Sequence, residues 1–157
     1  MLFVKIVLFL LLIFLAHGYL TTFFVRLFWK ADFPIEGEYF LTFDDGPSSL
    51  TLNLIRLLEK HQKKAIFFLL GEKLSHYDLS IYKNQTLACH GYKHVNFALL
   101  GPYRTYLEFK KAKKAFQENG IKAKYFRAPY GLYNLSLIFL IKKNGMKVFQ
   151  RDYLLGD

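Results

Sequence analysis

Asp44 and Asp45 stand side by side in Thr42-Phe43-Asp44-Asp45-Gly46-Pro47, at the end of an apolar stretch and just before a Gly-Pro turn. In extended backbone, neighbouring side chains point to opposite faces, but a bend at a strand end can aim both at one pocket. Two carboxylates there repel each other, and one is pushed towards protonation unless a cation compensates the charge. With a cation, one carboxylate can ligate the ion while the other stays free as a base. An ordinary acidic turn uses the same residue types.

His90 and His94, in His-Gly-Tyr-Lys-His, are four residues apart, a spacing that places two imidazoles on one face of a helical turn. Two His and one carboxylate with open positions for water form the usual donor set of a catalytic divalent metal, zinc being the commonest. A third cluster, Phe126-Arg127-Ala128-Pro129-Tyr130-Gly131, follows another apolar stretch. Arg127 could orient a carboxylate through a two-pronged contact, and the Pro-Tyr-Gly turn could present a backbone N–H and an aromatic wall. A plain turn with a surface Arg is the alternative. Cys89 is the sole cysteine, so an intrachain disulfide and four-cysteine zinc modules are excluded, and a metal site must come from His, Asp and Glu. Cys89 itself reads as a small core residue, His61 as a helix-end residue, and His76 as part of a polar stretch.

These clusters need a scaffold that brings them to one place. Beyond the N-terminal segment the chain alternates strand-like and helix-like stretches, the pattern of an α/β domain with a mainly parallel sheet. Strands are expected at residues 38–43, 65–70, 86–89, 124–127 and 147–150. Helices are expected at 49–61, with Leu50, Leu54, Leu57 and Leu58 on one face, at 106–119, with Phe109, Ala112 and Phe116 inward, and at 134–144. The Asp pair, the His pair and the Arg127 cluster each follow a strand, and ligands collect beyond the carboxyl ends of such strands.

Taken in order along residues 37–157, the motifs resemble the polysaccharide deacetylases with NodB homology, a carbohydrate esterase family. Thr42 to Pro47 matches its first motif, Ala65-Ile66-Phe67-Phe68-Leu69-Leu70-Gly71 its second strand, His90 to His94 its metal motif, and Arg127 to Gly131 its third motif. The resemblance implies a distorted (β/α) barrel and metal-dependent removal of acetyl groups from N-acetylated sugars. It also implies Asp44 as general base, Asp45, His90 and His94 as metal ligands, Tyr130 as the residue whose backbone N–H helps hold the oxyanion, and Arg127 as the tether of the base. Gly91 stands where the family usually carries Ser or Thr, which leaves both imidazoles in place. The next motif, an Asp followed by Trp, matches Asp157 with nothing after it. The motif that supplies the family's catalytic acid, of the type Leu-x-Leu-x-His, has no counterpart. The expectation is a NodB-type domain over residues 38–157 with its C-terminal strands missing and a large rate loss for these 157 residues alone. The alternative is an inactive or truncated membrane-anchored remnant that binds carbohydrate or serves as a scaffold.

The N-terminal segment, residues 1–29, holds 23 apolar side chains, whereas 60 of the other 128 residues are apolar, an ordinary globular share. Residues 6–25 carry no formal charge, and as a helix they would span about 30 Å, the thickness of the hydrocarbon core. One transmembrane helix followed by a linker at 30–37 is the simplest reading. Ala16-His17-Gly18 also fits the small-residue spacing of a cleaved signal peptide, in which case the protein is secreted. With Lys5 in the cytoplasm, the domain lies on the extracytoplasmic side and an envelope carbohydrate is the natural substrate. The net charge of +10, from 22 basic and 12 acidic residues, suits an anionic membrane or wall polymer. The lysines at 60–64, 110–114 and 142–143 fit solvated helix faces, and no nucleic-acid-binding module accompanies them. The partners expected are therefore an N-acetylated carbohydrate and membrane lipid, with no nucleic acid.

Overall fold

The computed structural model describes residues 2–28 and 41–150. Trp29, the expected linker, residues 38–40 of the first expected strand, and Asp157 lie outside them. Four helices, α1 (Leu2–Phe28), α2 (Thr51–Lys60), α3 (Pro102–Glu118) and α4 (Leu135–Lys143), accompany five strands. The strands are β1 (Leu41–Gly46), β2 (Ala65–Leu69), β3 (Thr86–Cys89), β4 (Tyr125–Phe126) and β5 (Lys147–Val148).

All five strands are parallel, and their spatial order is their chain order, β1-β2-β3-β4-β5. A sheet in which every strand lies beside its predecessor has no point where the order reverses, so its loops converge at one rim, as in a (β/α) barrel. Among the described residues the sheet stays open, with β1 and β5 at its edges. Buried side chains alternate across it with period two. Phe67, Leu69, Cys89 and Phe126 join Ile55 and Leu58 of α2, Phe109 and Phe116 of α3, and Leu137 and Ile141 of α4 in the main core. Ile66, Phe68, Ala88 and Phe149 form a smaller cluster on the opposite face. β2, buried along its whole length, is the shared wall.

Three local expectations are corrected. On α2 the buried stripe is Thr51, Ile55 and Leu58, whereas Leu50 and Leu57 are exposed. Residues 50 and 57 lie one position, about 100° of helix rotation, off that stripe. α3 begins at Pro102, four residues before the expected start. Proline at the first helical position has its backbone angle preset and gives up an N–H that has no helical partner there. His90 and His94 do not lie on a helical turn; they flank an irregular loop in which Gly91 adopts φ 96°, a conformation open to glycine.

α1 is the one described helix long and apolar enough to cross a membrane, over Phe3–Leu27. Its last turns pack on the domain. Gly18 lies against Ala98, Val25 joins the main core, and the buried Thr22 hydroxyl accepts the Tyr133 N–H at 2.8 Å.

Candidate metal and catalytic site

The site is built at the carboxyl ends of β1, β3 and β4. At the end of β1 the pairing with β2 steps from Phe43 opposite Phe67 to Gly46 opposite Leu69, so β1 carries one extra residue. Such a bulge re-aims side chains. Asp45 adopts φ 64° within it, a left-handed conformation that Asp tolerates better than most residues. The bulge therefore does what a flat strand cannot, turning both neighbouring carboxylates to the same rim. The Lys73 ammonium donates to the Asp45 carbonyl at 2.8 Å and pins the turn.

Asp45 Oδ1 lies 3.5 Å from His90 Nε2 and 3.3 Å from His94 Nε2. One donor atom from each of the three residues falls within 4.8 Å of the others. Donors about 2.0–2.2 Å from one ion at tetrahedral angles stand about 3.3–3.5 Å apart, so the spacing fits a single small cation. The tautomer fits as well. His90 Nδ1 is 2.8 Å from the Arg127 carbonyl, which can only accept, so Nδ1 carries the proton and Nε2 presents its lone pair to the site. Burial holds the His90 imidazole below its ordinary pKa, against the pull of the Asp44 and Asp45 carboxylates, and a neutral imidazole is the form that ligates. Two imidazoles with their rings 5.5 Å apart and a carboxylate are a donor set suited to zinc.

Asp44 is held separately. Arg127, only 2% exposed, donates from Nη1 to Asp44 Oδ1 at 2.6 Å and to Thr42 Oγ1 at 3.0 Å. Its guanidinium lies 4.0 Å from the centre of the Phe68 ring and 5.2 Å from that of Phe149. A planar cation packed against two aromatic rings is fixed in direction and desolvated, which strengthens its hold on the carboxylate. Arg127 thus serves both halves of the site, through its side chain to Asp44 and through its carbonyl to His90.

Tyr130 turns the chain with φ 59° and sets its exposed ring edge-on to His94 at 4.5 Å. Asp44, Asp45, His90, His94, Arg127 and Tyr130 are therefore all brought to one rim. Cys89 is not, because it faces the main core, where burial pushes its thiol up to about 12. His61 ends α2 and His76 is exposed beyond it. Sequence reading did not single out Thr42, Lys73, Phe68 or Tyr133. The Tyr133 hydroxyl accepts the Ala128 N–H at 3.1 Å and braces the turn after Arg127. A signal for Thr42 did exist, since it stands two residues before Asp44 on the strand that ends in the Asp pair.

The chain is similar to a bifunctional xylanase/deacetylase of Pseudobutyrivibrio xylanivorans, 36% identical over an alignment of 96 residues that covers 57% of this chain and 16% of that protein. It is similar also to a peptidoglycan-N-acetylglucosamine deacetylase of Bacillus cereus, 36% identical over 98 residues, or 59% of this chain and 36% of the relative. Among solved structures it is similar to a family 4 carbohydrate esterase from Streptomyces lividans in complex with acetate. That match has a TM-score of 0.68 and 29% identity, and covers 74% of this chain and 64% of that one. The chain spans about a sixth and about a third of the length of the two sequence relatives. Residues 34–149, which include every side chain of the site, match the polysaccharide deacetylase family, and the chain belongs to that family.

Proposed function

We propose that this protein is a metal-dependent hydrolase that removes N-acetyl groups from an N-acetylated envelope carbohydrate. The observation that carries this is the pairing of two carboxylates with different attachments, Asp45 facing two imidazoles and Asp44 clamped by a buried arginine. Asp45, His90 and His94 would hold a divalent cation, zinc by donor type. When bound, such an ion supplies a Lewis acid that lowers the pKa of water and polarises an amide carbonyl.

The protein's own groups do the rest. Asp44 takes the proton from the water that attacks the acetamide carbon, and Arg127 keeps its carboxylate aimed at that water. The Tyr130 N–H donates to the carbonyl oxygen as it gains charge, a contribution of about 3 kcal/mol for one well-placed donor. The C–N bond then breaks, acetate forms, and Asp44 returns its proton to the departing amine. The Bacillus cereus relative is a peptidoglycan-N-acetylglucosamine deacetylase, and with α1 as a membrane anchor and Lys5 in the cytoplasm this domain would face the extracytoplasmic side.

The test is acetate release from N-acetylchitotetraose by the full-length protein after chelation and stepwise return of zinc. Activity that rises to a plateau at one ion per chain supports the reading. Stoichiometric zinc and sugar binding with no acetate released would show a binding protein instead.

A further inference from the structure

We infer that the catalytic rim lies on the lipid bilayer and that the site takes N-acetylated sugar carried by the membrane. The substrate half of this inference rests on the deacetylase reading above; the placement half does not.

The length of α1 is the first ground. The domain covers the stripe Gly18, Thr21, Thr22 and Val25 of that helix. The part before this stripe, residues 3–17, is about 22 Å long at 1.5 Å per residue, short of the hydrocarbon thickness of about 30 Å. A membrane crossed by α1 must therefore reach into the covered turns, and what covers them must touch it. The covering elements belong to the catalytic rim: the turn Phe97–Leu99, which begins three residues after His94, and Tyr133, three after Tyr130. Near the end of the helix, the Arg26 guanidinium sits 3.7 Å from where a Cβ on Gly131 would lie.

The surface beside this contact is the second ground. Leu99, Tyr103, Tyr106, Leu135 and Phe139 are large apolar side chains left exposed. Leu99 precedes α3, Tyr103 and Tyr106 lie in its first turns, and Leu135 opens α4 with Phe139 one turn further on; both helices follow the carboxyl ends of β3 and β4, so their starts lie at the same rim. Asn134 ties the three segments together, donating to the carbonyls of Phe97 and Leu100 and to the Thr105 hydroxyl. Behind the patch, Lys110 and Lys143 lie 5.8 and 5.7 Å from the Tyr106 and Phe139 ring centres. An apolar and aromatic surface backed by lysines, in a chain of net charge +10, matches an anionic lipid interface. A site held there meets sugars attached to lipid far more often than polymer distant from the membrane.

The test uses the full-length protein in phosphatidylcholine/phosphatidylglycerol vesicles. Nitroxide labels at Leu99→Cys and Phe139→Cys should collide with oxygen, and a label at Lys83→Cys, at the other end of the sheet, with a water-soluble nickel chelate. All three labels in water would overturn the placement. An N-acetylglucosaminyl lipid in the same vesicles should be deacetylated with kcat/KM at least tenfold above that for soluble N-acetylchitotetraose, and equal values would overturn the substrate class. In Gly18→Leu, a new Cβ would meet the Ala98 carbonyl at 2.5 Å; the preference should collapse while the soluble rate holds. Phe139→Glu, at an exposed position, should lower the same ratio if Gly18→Leu does not fold. Labels in lipid with acetate released from neither substrate would sink the deacetylase reading and leave the placement standing.

Discussion

The two ends of the sheet differ in kind. At the amino end of β3 and β4 lies a groove of 630 Å³, lined by Leu79, Tyr82, Lys83, Gln85, Lys122 and Lys124 among others. It is roomy and wet, and its lysines are exposed on ordinary turns. At the carboxyl end, the non-glycine residues Asp45 and Tyr130 have positive φ, against Gln62 alone at the amino end among the described residues, and His90 and Arg127 are buried charged or polar groups tied to each other. Conformations and burials of that sort each cost free energy and persist only where the surroundings enforce them. Volume therefore does not locate the chemistry in this molecule; buried polar groups tied to one another, beside two strained non-glycine residues, do.

Breaking the carboxyl end should have the largest effect. His90→Ala or His94→Ala is expected to abolish stoichiometric zinc binding, read by metal analysis after dialysis, and to reduce acetate release by at least about a thousandfold. Zinc retained at one per chain in both variants would refute the ligand set. Asp44→Asn should keep the metal and lose about 10²- to 10⁴-fold in kcat, which separates the two carboxylates by experiment. Arg127→Met should destabilise the fold by about 3 kcal/mol in denaturant titration, because Asp44 loses its partner in a largely buried pair.

Changes at the amino end should affect stability weakly and chemistry not at all. Tyr82 spans the two ends, lining the groove while its hydroxyl lies beside Gly46; burial raises that hydroxyl above its ordinary value, so the folded state favours the protonated form. That contribution is present below pH 10 and is lost as pH rises through the folded value. Thermal melts should show an alkaline loss of stability that Tyr82→Phe diminishes, with acetate release at neutral pH unchanged. Smallest of all, Lys83→Ala, Lys122→Ala and Lys124→Ala should each shift stability by no more than about 0.5 kcal/mol. A tenfold activity loss in any of them would erase the contrast between the two ends.

Much of this was legible in the residues, and the failures have physical causes. β2 could be read because its five residues are all buried and β3 because it ends in the buried Ala88 and Cys89, and the site residues because each motif directly follows a strand. The bend that brings Asp44 and Asp45 together was expected, and the bulge supplies it. The His pair was assigned to a helical turn because i and i+4 spacing is ambiguous until the backbone at the intervening glycine is known. The inward face of α2 departs from the expected leucine face because Thr51 and Ile55 supply two of its three buried positions, whereas Leu50 and Leu57 are exposed. The contact between Thr22 and Tyr133 spans 111 positions and involves main-chain groups, so no local pattern announces it.

Asn134 carries one more consequence. Asn134-Leu135-Ser136 and Asn84-Gln85-Thr86 both have the form that oligosaccharyltransferases accept. In the folded protein the Asn134 amide nitrogen is committed to three acceptors and its oxygen to the Leu137 N–H, whereas Asn84 is exposed. A host that attaches glycans should therefore mark Asn84 on finished molecules and Asn134 only on chains caught before the domain has closed. The ratio of the two modifications becomes a clock for how fast the rim assembles.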